Sequence, residues 1–128
     1  MDMHELGTHP VSADAPMGSD ARYEPEYEAI LSEIAKLSSP TQGGTISWKV
    51  IEENAITLLQ TKTKDLQIAG YLSVALEILH GLPGFTDALI LLNALFETYW
   101  ESAFPSLKRI RRRVAAVDWW HELTQKFL

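Results

Sequence analysis

From Pro25 to Leu128 the apolar residues recur every three or four positions, a spacing that predicts successive helices and no strands. Tyr27, Ile30, Ile34 and Leu37 mark a first helix, with Leu31 beside them. Pro25 suits its first position, because the N–H that proline lacks would have no helical acceptor there. Ser38-Ser39-Pro40 stops this helix, and Gly43-Gly44 forms the loop beyond it. Ser47 is placed to cap a second helix whose face is Trp48, Ile51, Ala55, Leu58 and Leu59, with Lys49, Glu52 and Glu53 off it. A third helix, from about Asp65 to His80, is apolar almost all round, leaving a narrow polar strip at Gly70, Ser73 and Glu77. Such a helix belongs in the middle of a bundle. Gly81 and Pro83 end it. A fourth carries Phe85, Leu89, Leu92, Phe96 and Tyr99, widened by Ala88 and Leu95, and stops near Glu101 ahead of Pro105. A fifth, about 106–128, sets Leu107, Ile110, Val114 and Val117 on one side and continues through Trp120 and Leu123 toward Phe127.

Residues 1–24 show no helical period and hold Gly7, Pro10, Pro16 and Gly18, so they read as extended chain and turns, with 1–9 a flexible terminus. Connections are short, which favours antiparallel neighbours. The expected fold is therefore all-α: a single compact bundle of about five helices in antiparallel α-hairpins, spanning 10–128 and preceded by an extended N-terminal segment. The absence of a capping signal at Leu128 suggests a domain of a longer parent whose further domains follow, with a natural C-terminus as the alternative.

Composition narrows the class. The chain has 128 residues, 46% hydrophobic and 22% charged, ordinary values for a folded domain. It has no cysteine, which removes disulfides, thiolate metal sites and thiol catalysis and fits a reducing compartment. The opening MDMHELGTHP lacks the apolar run of a secretory signal, and the apolar run Ala88 to Leu92 ends at Asn93, short of a bilayer span. The net charge of −6 is unevenly spread: residues 1–107 hold 15 acids against 5 bases (−10), residues 108–128 hold 2 against 6 (+4). The C-terminal segment is thus suited to an acidic surface, its own or a partner's.

Candidate chemistry is sparse. His4, His9, His80 and His121 show no metal-ligand spacing, so neither a metal nor a cofactor is expected. Asp14, Asp20, Glu24, Glu26 and Glu28 cluster in sequence, but they lie in extended chain or a first helical turn, where acids complement the helix dipole. The sharpest charge feature is Lys108, Arg109, Arg111, Arg112 and Arg113 around Ile110. It reads as a solvated face, a protein-partner patch or, on charge alone, a nucleic-acid contact. Trp119-Trp120 adds a candidate anchor for a partner, against the alternative of two packed core aromatics. For Tyr99-Trp100 the core reading is preferred, with a satisfied tyrosine hydroxyl.

The run Pro10, Asp14, Pro16, Gly18, Asp20, Arg22, Tyr23, Pro25 resembles the opening of the ImpA-type N-terminal domain of TssA-like type VI secretion proteins. Further matches follow in order: Trp48, Thr63-Lys64-Asp65-Leu66, Gly81-Leu-Pro-Gly84, Tyr99-Trp100-Glu101, Pro105 and the basic stretch leading to Trp119-Trp120. Glu24 stands where the family usually has Asp, and Thr63 where it usually has Ser. The resemblance implies a cytoplasmic, non-enzymatic assembly and docking domain that contacts baseplate, membrane-complex or sheath–tube proteins, without a small-molecule substrate, in a parent that oligomerises through regions beyond this segment. A distal sheath-capping relative within the same system is the alternative parent, and nucleic-acid binding through 108–113 is the alternative of a different class. In the N-terminal run, Pro10 and Pro16 restrict the chain to extended geometry, Gly18 supplies a turn and Asp20 bonds nearby amides. Arg22 is expected to pair with Asp14 or Asp20, and Tyr23 to pack across the bundle.

Overall fold

The computed structural model describes residues 2–38 and 45–127. The helices are α1 (Met3–Thr8), α2 (Pro25–Ala35), α3 (Trp48–Thr61), α4 (Leu66–Tyr99) and α5 (Ile110–Phe127), with a 3-10 turn at Leu107–Arg109 before α5. No strand occurs among the described residues, so the chain is all-α. The Ser39-Pro40 stop and the Gly43-Gly44 loop expected from the sequence lie outside the described residues.

Local chemistry explains most of the boundaries. Pro25 opens α2, and Glu24 before it makes no side-chain cap; its carboxylate goes to Lys62 instead, at 2.9 Å. The Ser47 hydroxyl accepts from the Val50 amide, and Asp65 accepts from the amides of Gln67 and Ile68, so α3 and α4 are both capped from the side chain. Gly81, at φ 67°, breaks the long α4. The limbs on either side, the third and fourth helices read from the sequence, run back antiparallel: Asp65 before the first is bridged to Phe104 just after the second. At Gly84 an added Cβ would lie 1.9 Å from the Leu76 carbonyl oxygen, so the hairpin closes only over a glycine.

α4 is the centre of the bundle and packs against α1, α3 and α5, while α2 packs on α3. By length and composition alone it passes for a membrane span, with an 18-residue window of mean hydropathy 1.4, but the break at Gly81 divides it into two shorter limbs, and the Ala88–Leu92 run alone falls short. In the fold those apolar side chains supply the core, including Ile68, Leu72, Leu91 and Leu95. Ile51, Leu58 and Leu59 of α3 complete it, as their spacing predicts.

Three expectations are corrected. Residues 3–8 are not extended chain: they form α1, capped by Asp2, with Met3 and Leu6 buried. Gly7 lets this helix lie directly on α4, since a Cβ there would meet the Ala94 Cβ at 2.6 Å. Tyr23 does not pack across the bundle but stands 87% exposed, and Tyr27, four residues on, is buried in its place. In α5 the stripe Ile110, Val114, Val117 faces outward, and the helix buries Arg113 and Ala116 instead. A charged side chain with internal acceptors has displaced the aliphatic residues from the inner face.

Candidate functional site

The N-terminal motif builds a clasp. Val11 donates its amide to Pro16 and Gly18 to Ala15, which folds residues 11–18 into tight turns with Asp14 exposed among them. Gly18 takes φ 74°, and an added Cβ would lie 2.1 Å from the Lys62 carbonyl oxygen. On either side of it the arm pairs with the Thr63-Lys64-Asp65-Leu66 step: Ser19 N–H donates to Lys62 at 3.0 Å, and Lys64 N–H to Met17 at 2.8 Å. The other edge of that step pairs with the turn after α4, Phe104 N–H donating to Lys64 and Leu66 N–H to Phe104. Three regions remote in sequence are thereby locked together. Pro10 and Pro16 stay exposed, whereas Trp48 and Leu66 are core residues.

Two buried cations hold helix ends. Lys64 is fully buried; its Nζ donates to the Leu6 and Leu59 carbonyls, each at 2.8 Å, and lies 5.6 Å from the centre of the Tyr99 ring. Burial lowers its pKa to about 8. Tyr99 is buried, and its hydroxyl donates to the Thr8 carbonyl at 2.8 Å, a second tie to α1. Arg113, 2% exposed, donates to the carbonyls of Pro105, Trp100 and Ala103 and lies over the Trp100 ring. It ties Trp100, the C-cap of α4, to the turn that follows, and so leaves the basic surface to which its sequence position assigned it. Trp100 itself is 45% exposed, against the expectation that it is core.

The remaining cations behave differently. Lys108, Arg109, Arg111 and Arg112 are exposed and form no ion pair among the described residues. Arg109 and Arg112 line a cavity of about 260 Å³ together with Asp20, Arg22, Tyr27, Asp65, Gln67 and Phe104. A second cavity of about 350 Å³ adjoins it at Gln67 and Arg112 and runs past Tyr71, Ala115 and Ala116 to Trp119. The motif arm and the basic run, 86 residues apart from Arg22 to Lys108, thus meet on one cleft.

The acids of the cleft are already engaged. Asp20 pairs with the Arg22 guanidinium at 2.9 Å and also accepts the Arg22 amide, as its spacing suggests. Asp65 is turned onto backbone amides, and burial raises its pKa to about 6. Glu24 and Glu26 both bind Lys62, and Glu28 is exposed, so the acidic run does not converge on one point. His80 contacts Glu52 at 2.8 Å, and the described residues hold no cluster of three metal-ligating side chains.

The Trp pair is divided between two neighbours. Trp119 meets Tyr71 edge-on at 4.9 Å. Trp120 lies parallel to Phe85, and its Nε1–H donates to Glu77. Glu77 is buried, has no ion pair among the described residues, accepts from Trp120 and Thr124, and has its pKa raised by burial. Both tryptophans are part-buried, and Trp119 closes one end of the cleft. What the sequence reading missed was the partition of the cations. Only the position of Arg113 inside a helix that must bury something hints at it.

Comparison with known proteins agrees with this architecture. The TssA1 component of the type VI secretion system of Pseudomonas aeruginosa is 31% identical over 104 residues, covering 76% of this chain and 30% of the relative. The solved N-terminal domain of the TssA component from Burkholderia cenocepacia, which includes the conserved ImpA_N region, superposes with a TM-score of 0.83 at 30% identity. It covers 98% of this chain, and the chain spans about half (49%) of that solved one. The family described as "ImpA, N-terminal, type VI secretion system" matches residues 8–122, and the chain belongs to that family.

Proposed function

We propose that this domain is a non-enzymatic docking module of a TssA-like protein, acting in the cytoplasm during assembly of a type VI secretion apparatus. Its contacts are with baseplate, membrane-complex or sheath–tube proteins, and its parent oligomerises through regions outside this segment. The observation that carries the reading is the cleft at the start of α5, a recess with aromatic walls and unpaired guanidiniums. Unneutralised Arg beside aromatic surface is the composition of interface hot spots. The carboxylates that an acid–base mechanism would need are occupied by ion pairs or by backbone amides. The test is direct: the domain is titrated against each purified baseplate, membrane-complex and sheath–tube component. Saturable binding to at least one is expected, and binding to none contradicts the proposal.

A further inference from the structure

We infer that the cleft receives an acidic segment of the partner protein, its carboxylates held by Arg109 and Arg112 and its apolar side chains set against Phe104 and Trp119. This rests on the docking reading and adds to it a site and a chemistry. The fold's own use of charge points to an acidic occupant. Residues 1–107 carry 15 acids against 5 bases, yet none of those acids pairs with Lys108, Arg109, Arg111 or Arg112. The next guanidinium, Arg113, is buried and bonded to three internal carbonyls. Internal neutralisation therefore does not account for the run; its outer members are left unpaired on a chain with acid to spare.

The charge balance of the cleft points the same way. Of the five charged side chains that line the first cavity, Asp20 and Arg22 neutralise each other and Asp65 caps α4. Arg109 and Arg112 remain, three residues apart and therefore on one side of the helix start. Arginine presents a planar fork that matches a carboxylate in two-point geometry, which a lysine does not. The adjoining cavity adds Tyr71 and Trp119, room for apolar side chains next to the acids. A long polyanion is a poorer occupant, because the surface beyond the cleft belongs to a region of net charge −10 and repels an extended phosphate backbone.

The experiment compares two charge reversals of equal size by calorimetric titration against each purified baseplate, membrane-complex and sheath–tube component. Arg109→Glu/Arg112→Glu changes the cleft; Lys108→Glu/Arg111→Glu changes the run outside it. All four side chains are exposed, so both variants should melt as the parent does. The expected result is a loss of at least ~30-fold for the cleft variant and under about 3-fold for the other. Exchanging the partner's acids for lysine should restore binding to the cleft variant alone. Equal losses in both variants, or none in either, overturn the inference and leave docking intact. If no component binds the unaltered domain, both readings fall. Cleft-dependent self-association by sedimentation equilibrium, or cleft-dependent binding of a 20-nucleotide RNA at low salt, assigns another occupant and also overturns it.

Discussion

Replacing Arg113 by alanine should cost this fold several kcal/mol, although the residue sits in a run that looks like surface. The residue is 2% exposed, and its guanidinium donates to the carbonyls of Trp100, at the C-cap of α4, and of Ala103 and Pro105 in the turn beyond, the last two at 2.7 Å. Hydrogen bonds to a charged donor are worth about 1.5–3 kcal/mol each, and a buried acceptor left bare costs about 1–3 kcal/mol. The carbonyl of half-exposed Trp100 regains water in the variant; those of Ala103 and Pro105 lie deeper. Two lost acceptors and the vacated side-chain volume give roughly 3–5 kcal/mol, in the range for breaking a buried charged cluster. For a chain of this length that is a fall of about 10–20 °C in Tm. Arg112→Ala, one residue away, removes an exposed side chain without an internal partner and should stay within about 0.5 kcal/mol. Arg113→Lys keeps the charge but not the fork and should fall between. Urea unfolding followed by helical circular dichroism measures all three. If Arg113→Ala melts within 2 °C of Arg112→Ala, the role of Arg113 in bracing the turn after α4 is wrong.

Three further outcomes follow from the clasp. Gly18→Ala places a Cβ against the Lys62 carbonyl at a positive φ and should cost about 3 kcal/mol or more, from left-handed strain and the two ladder hydrogen bonds it displaces; an unfolding midpoint equal to the parent's would refute it. Asp65 has its pKa raised to about 6, so the folded state binds the extra proton between the ordinary carboxylate range and pH 6. Its stabilising contribution is therefore complete in acid and is lost as pH rises through 6. Asp65→Asn should then gain on the parent between pH 4 and pH 7, and a constant gap in urea unfolding would contradict this. The Thr63 hydroxyl is buried without a hydrogen-bond partner among the described residues. Thr63→Val should thus stabilise by about 1 kcal/mol, and a loss of stability would show that the hydroxyl is satisfied.

Helix positions were legible because apolar periodicity and caps agree: Ser47, Asp65, Pro25 and Gly81 all act at the ends where their chemistry places them. Facing directions were less so. The stripe Ile110, Val114, Val117 has the period of a core face, yet Arg113 wins the interior, because the carbonyls of Trp100 and of the turn after α4 need donors. Those acceptors exist only after tertiary folding, and no local pattern encodes them. α1 was missed for a similar reason. A six-residue helix is too short to show periodicity, and it is held by Lys64 and Tyr99 from far along the chain. At the site, the motif arm and the basic run were each conspicuous, but their convergence was not. Arg22 and Arg109 share a cavity because residues 62–66 pair with the arm on one edge and with Phe104 on the other. Tyr27, Gln67 and Phe104 carried no chemical signal of their own.

The central claim is that the cleft is where the partner sits, and site-specific photo-crosslinking addresses it without altering a charge. A benzophenone amino acid at Ala115, exposed on the cleft wall, is compared with one at Asn93, exposed on α4 away from the cleft. The full-length parent carrying each is irradiated with the purified baseplate, membrane-complex and sheath–tube components. The account predicts a crosslink from position 115 to an acid-rich segment of one component, and none from position 93. Crosslinking from 93 with none from 115 would place the docking surface elsewhere and contradict it.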